Sequence, residues 1–228
     1  MRIFMFFFIL TLVSFANIGT IMVINGKADI KRSTKLITIK NGMDIQKGDE
    51  IITHTKTRLQ VMLKDDTVIT IGPNSSYTFI DYMFDGSKQS TIKMQATRGF
   101  FRSVTGKIGK IAPERFKVKT KLATIGIRGT DFSVQLGKNT ASYICNRGEI
   151  TLNYDNLQKR IESGHKMLLH LDGARVKALT KSQIKRNASA SSILKEHADQ
   201  IRLDTTTIAN INENKIDTQE IKFNCNTN

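Results

Sequence analysis

Catalysis or metal binding in this chain would have to be built from four histidines, two cysteines and twenty carboxylates. Their spacing assembles no site. His54, His165, His170 and His197 match no familiar metal-ligand pattern, and in a strand His165 and His170 would point to opposite faces. No Gly-x-Ser-x-Gly turn is present to expose a nucleophile. The Gly-Lys pair within Gly99 to Lys107 has the wrong internal spacing for a phosphate loop, and Ile108 stands where a Ser or Thr would hold magnesium. Asn74-Ser75-Ser76 and Asn187-Ala188-Ser189 fit the minimal glycosylation triplet, which sequences often match by chance. The residues therefore point to a protein that is not an enzyme and carries no cofactor and no metal.

Cations are what the chain does concentrate. Between Arg98 and Lys121 stand Arg98, Arg102, Lys107, Lys110, Arg115, Lys117, Lys119 and Lys121, against the single acid Glu114. In a strand from Arg115 to Lys121 the basic residues would project to one side as a ridge ~20 Å long, the best candidate for holding an anionic partner. The competing reading is a solvated outer face whose charge prevents edge aggregation.

The whole chain carries a net charge of +15, which in the cytoplasm would suggest nucleic acid. The N-terminus redirects that inference. Arg2 precedes an apolar run from Ile3 to Phe15, with Ser14 and Ala16 at the small-residue positions of a cleavage site, so residues 1–16 read as a secretory signal peptide. The alternative is an uncleaved inner-membrane anchor, since Ile18, Ile21, Met22 and Ile24 extend the run toward the ~20 apolar residues that span a bilayer. On either reading the rest of the chain is periplasmic, with no nucleic acid as partner. The anions available there are lipid phosphates at a membrane surface, lipopolysaccharide, acidic glycans or an acidic protein face.

The elements that must position these groups are short strands. Leu59, Val61 and Leu63 alternate with Gln60, Met62 and Lys64; Ile92, Met94 and Ala96 alternate with Lys93, Gln95 and Thr97; Ile150 and Leu152 alternate with Thr151 and Asn153. Such a period of two belongs to strands with one face in and one face out. Turn residues separate them at Asn25-Gly26, Asn41-Gly42, Gly72-Pro73-Asn74, Asp85-Gly86 and Arg147-Gly148. Phe116, Val118 and Thr120 oppose Lys117, Lys119 and Lys121, and the alternation resumes at Phe132 and Val134 after Gly126 and Gly129 allow a bend or bulge. Thr120 to Phe132 thus reads as one bent β unit.

The run Thr120, Ala123, Gly126, Ile127, Arg128, Gly129, Thr130, Phe132 resembles the signature of the FecR protein family, with Lys121 where that family usually has proline. Gly48-Asp49-Glu50-Ile51-Ile52-Thr53, Asp66-Thr67, Gly72-Pro73-Asn74-Ser75 and Gly148-Glu149-Ile150 resemble further blocks of the same domain, over roughly Lys47 to Leu169. The resemblance implies a mainly β domain of short, twisted antiparallel strands, solenoid- or sandwich-like. It also implies a partner in envelope signalling. Members of the family pass signals inward through a cytoplasmic segment, for which this chain, apolar from Ile3, has no room. Arg128, between two glycines, is expected to be structural, tying loop carbonyls or pairing with Asp131 or Asp49; the alternative is an exposed ligand contact. Asp49 and Asp66 are expected to cap backbone amides in turns.

The reading divides the chain into a signal peptide at 1–16, a β domain at 17–180, a helix at 181–203 and a polar tail at 204–228. Ile184, Ala188, Leu194, Ala198 and Ile201 recur near one helical stripe, with Ser182 placed to cap it. Outside the cytoplasm Cys145 and Cys225 can form a disulfide worth ~4 kcal/mol in the chain-entropy model. The alternative is a buried Cys145 and a loose Cys225. The expected function is an exported, non-enzymatic protein that binds an envelope protein or, alternatively, an anionic envelope polymer through the basic ridge.

Overall fold

A computed structural model describes residues 17–172 and the backbone of the strand Arg175–Ala178. The signal peptide, the helix at 181–203, the tail and Cys225 lie outside the described residues. The described strands, in chain order, are β1 (Asn17–Asn25), β2 (Ala28–Arg32), β3 (Lys35–Thr38), β4 (Asp44–Gln46), β5 (Glu50–Thr53), β6 (Arg58–Leu63), β7 (Val68–Ile71), β8 (Ser76–Met83), β9 (Thr91–Val104), β10 (Phe116–Lys119), β11 (Thr124–Leu136), β12 (Thr140–Tyr154), β13 (Leu157–Glu162), β14 (Lys166–Asp172) and β15 (Arg175–Ala178). One helical turn, α1 (Ile108–Ile111), and a 3-10 turn at Pro113–Arg115 lie between β9 and β10.

All of these strands join one hydrogen-bonded sheet that does not close into a barrel. Three long strands run through both of its halves. The early part of β9 pairs β8 and β10, and its later part pairs β7 and β11. β11 and β12 change partners in the same way, and the changes fall at Gly99, Gly129 and Gly148. Folding along that line brings the halves together, as contacts between them record. The Tyr77 and Phe101 rings meet edge-on at 5.1 Å. Thr120 Oγ1 lies 2.7 Å from the Tyr143 hydroxyl.

The register explains why the alternating sequence packs. In one half, Phe79, Met94, Val118, Ile125 and Leu152 stand in a row across five strands, all buried. In the other, Ile21, Val61, Ile69, Ser103, Phe132 and Cys145 form a second buried row. Each large apolar side chain so buried contributes about 1.5–3 kcal/mol. One pairing departs from the expected antiparallel pattern: β9 and β10 are parallel, because the segment carrying α1 crosses over and returns the chain in the same direction.

Asp49 caps its turn as expected. Its fully buried carboxylate accepts the Gln46 N–H at 2.8 Å and both arms of Arg32, at 2.8 and 2.7 Å. Asp66 does not. It takes a positive φ of 65°, which turns its side chain outward to an exposed ion pair with Lys107 at 3.0 Å. The buried role falls instead to its neighbour Asp65, whose carboxylate accepts the Thr67 hydroxyl at 2.7 Å and the Ile108 N–H at 3.2 Å. Tyr82 completes this knot, accepting the Asp65 N–H at 2.9 Å and donating to the carboxylate at 3.3 Å. Burial, and then the Asp65 charge, hold the Tyr82 phenol protonated far above its usual range. Replacing Tyr82 by Phe leaves the Asp65 N–H without a partner, so urea unfolding should show a loss of about 1–2 kcal/mol.

Candidate binding face

Among the described residues the buried arginine is Arg102, not Arg128. Arg102 is 5% exposed on β9, and its guanidinium grips Asp131 of β11 with two parallel bonds, Nε–Oδ1 2.8 Å and Nη2–Oδ2 2.6 Å. Asn146 Nδ2 donates to the same carboxylate at 3.1 Å. Arg102 therefore leaves the candidate ridge. Its opposite partners on β7 and β11, Thr70 and Ser133, are also buried, so no part of it reaches solvent as a free cation.

Arg128 is exposed, and no side-chain hydrogen bond or ion pair joins its guanidinium to another described residue. The structural work of the motif is done by its neighbours. Thr120 closes the β10–β11 turn, its hydroxyl donating to the Ala123 carbonyl at 2.8 Å and accepting the Ala123 N–H at 3.1 Å, with Lys121 in place of proline. The turn ends β10 at Lys119, which makes the ridge shorter than the sequence suggests. Thr130 is clasped to Thr105: its N–H donates to Thr105 Oγ1 at 2.9 Å, and its carbonyl accepts that hydroxyl at 3.0 Å. The bend lies at Gly129, with φ 56°, whereas Gly126 sits within the strand.

Gly126 has a different use. A Cβ there would lie 3.4 Å from Lys117 Nζ, so the missing side chain leaves a shallow seat across β11 for that lysine. The register then lines up Asp81, Lys93, Lys117, Gly126, Thr151 and Arg160 across six strands, β8 to β13, on the face away from the core row. Lys119 follows two residues beyond Lys117 and is exposed. Asp81 is already neutralised by Lys47 at 2.7 Å and Lys93 at 3.6 Å, and the Lys47 hydrogen bond chiefly holds its carboxyl below the usual range. What remains is an open, cationic sheet face.

The other candidate cations are dispersed. Arg98 is exposed opposite Ser76 on β8; Lys107 stands over the Phe84 ring at 6.0 Å beside Asp66; Lys110 is exposed on α1. Arg115 is half-buried, with its Nε enclosed and unpaired, and Lys121 donates to the Lys138 carbonyl at 3.2 Å. Sequence reasoning missed Lys93 and Arg160. Lys93 alternates with the core residues Ile92 and Met94, and Arg160 adjoins the core residue Ile161, but only the cross-strand register places them in one row with Lys117. Among the described residues no three His, Cys, Asp or Glu side chains gather as a metal site. Cys145 is fully buried, its thiol donating to the Gly148 carbonyl at 3.3 Å, and burial pushes its pKa up.

Residues 49–151 match the family model described as FecR protein. No curated protein matches the chain. Two crystal structures of a proposed anti-sigma factor from Parabacteroides distasonis ATCC 8503, at 1.65 and 2.50 Å resolution, resemble it at 15% sequence identity, with TM-scores of 0.46 and 0.47. Each match covers 63% of this chain and 65% or 64% of the solved chain, so less than two thirds of those proteins' length is represented.

Proposed function

We propose that this chain, which carries a FecR protein domain at residues 49–151, is an exported, non-enzymatic protein that binds a protein partner in periplasmic signalling or regulation. The family match supports a regulatory role. The observation that carries the reading is the distribution of charge: Asp49, Asp65, Arg102 and Asp131 are enclosed in structural pairs and caps, while Lys93, Lys117 and Lys119 stand on one open face. Groups arranged so can hold a partner but converge on no reacting atom.

Crosslinking in intact cells followed by identification of the captured species tests this. Charge reversal at Lys117→Glu with Lys119→Glu should cut capture of a protein partner at least ~10-fold while leaving thermal stability unchanged, since surface charges contribute little to folding. Failure of the wild-type protein to capture any protein would overturn the reading. The open, sheet-wide spread of the cations also favours a second reading, an anionic glycan or lipid headgroup as ligand. Salt separates the two: retention on a polyanion collapses steeply with ionic strength, whereas a shape-matched protein contact persists.

A further inference from the structure

We infer that the free edge of β13 is a docking strand for an extended, acidic polypeptide segment of the partner; this rests on the protein-binding reading above. β12 and β13 are joined by the two-residue turn Asp155-Asn156, both with positive φ, so Tyr154 and Leu157 form the first hydrogen-bonded pair of the hairpin. Alternation then turns the backbone groups of Leu157, Lys159 and Ile161 toward β12. Those of Gln158, Arg160 and Glu162 turn away from it. Among the described residues, the Glu162 carbonyl is taken by the His165 N–H at 3.1 Å, and no backbone bond covers the amides of Gln158, Arg160 or Glu162.

Among the described residues β13 pairs with β12 alone, and its side chains are exposed apart from Ile161. It holds neither proline nor bulge, the usual obstacles to pairing at an edge. Beside it opens a cleft of about 320 Å³ lined by Arg160, Ile161, Glu162, His165, Lys166 and Met167. Lys159 stands at the same cleft. Arg160 is partly satisfied by Glu149 at 3.2 Å, which leaves Lys159 and Lys166 without ion-pair partners among the described residues. An incoming strand would find backbone donors along the edge, lysines for its carboxylates and the apolar side of Ile161 and Met167 for alternate residues. This combination selects an acidic chain able to extend, and it excludes an acidic polymer that lacks amide groups.

The probe is a fluorescent ten-residue peptide alternating Glu with Val, compared with one in which Pro replaces Val. The Glu-Val peptide should bind the full chain and slow hydrogen exchange at the Gln158, Arg160 and Glu162 amides, while the Pro peptide of equal charge binds at least ~10-fold more weakly. Arg160→Pro removes an outward N–H without touching the β12 ladder and should weaken Glu-Val binding at least ~10-fold; so should the exposed double variant Lys159→Glu with Lys166→Glu, which guards against misfolding of the first. Equal binding of the two peptides, displacement by a sulfated oligosaccharide with no amide protection, or wild-type binding by both folded variants would overturn the docking strand. In cells, continued capture of the partner by Arg160→Pro would sink this inference alone, whereas no capture by the wild type would sink the protein-binding reading itself.

Discussion

Replacing Asp131 by Ala should lower the unfolding free energy by about 3–5 kcal/mol, because it leaves a buried guanidinium without its counter-charge. Arg102 is 5% exposed and has one nitrogen, Nη1, already enclosed without a partner, so it has no route by which to recover its hydration. Its neighbourhood makes matters worse. Arg58 is also partly enclosed; burial and then the charge of Arg102 lower its pKa, so removing the carboxylate sets two guanidinium groups against each other. Arg128→Ala, by contrast, should change stability by less than ~0.5 kcal/mol, as exposed side chains outside any bonded network usually do. Urea unfolding of the three proteins reads both effects. The double variant Arg102→Met with Asp131→Leu separates pairing from packing: replacing both charges with apolar groups should restore most of what Asp131→Ala loses. An Asp131→Ala protein as stable as the parent would remove Arg102 from its structural role.

That comparison also marks where the sequence is legible. The period of two in Phe116–Lys119 and around Ile92 and Ile150 names the buried faces correctly, because alternation is a property of one strand and its own neighbours, whereas Gln60, expected on the outward face of the Leu59 strand, is buried opposite Thr70. The turn glycines and Asp49 are legible for the same local reason. Arg102 against Arg128 is not. Both are arginines in β-patterned stretches, and which one is enclosed depends on which strand lies opposite, a relation among β7, β9 and β11 that no local window contains. The Asp65–Asp66 exchange has the same origin at smaller scale. Either aspartate suits the turn, and the choice is made by α1, whose Ile108 N–H arrives from forty-three positions away. Of the binding face, Lys117 and Lys119 could be read from alternation, while Lys93 and Arg160 needed the register. The parallel pairing of β9 with β10 was likewise hidden, since a single turn of helix in a short connection leaves almost no periodic signal.

The second large effect is expected at Gly148. It lies where β12 crosses from one half of the sheet to the other, with φ 80°, and an added Cβ would run into the Gly129 carbonyl and lie 3.1 Å from the Arg128 carbonyl. Two penalties therefore combine in Gly148→Ala. A left-handed backbone costs an L-residue about 1–2 kcal/mol, and the clash is with main chain that is itself fixed by the bend, so it cannot be relieved by a rotamer change. The total should be about 3–5 kcal/mol, among the larger single-residue effects. Gly129→Ala provides the control. Gly129 has a positive φ of 56° but nothing within 4 Å of its added Cβ, so only the backbone penalty of about 1–2 kcal/mol applies. The difference between the two variants in urea unfolding measures how closely β11 and β12 approach where the sheet turns over. If both cost the same, the glycines serve only their own dihedral angles and the two strands have room to separate there. If Gly148→Ala costs far more, the fold-over of the sheet depends on a main-chain contact that only glycine permits.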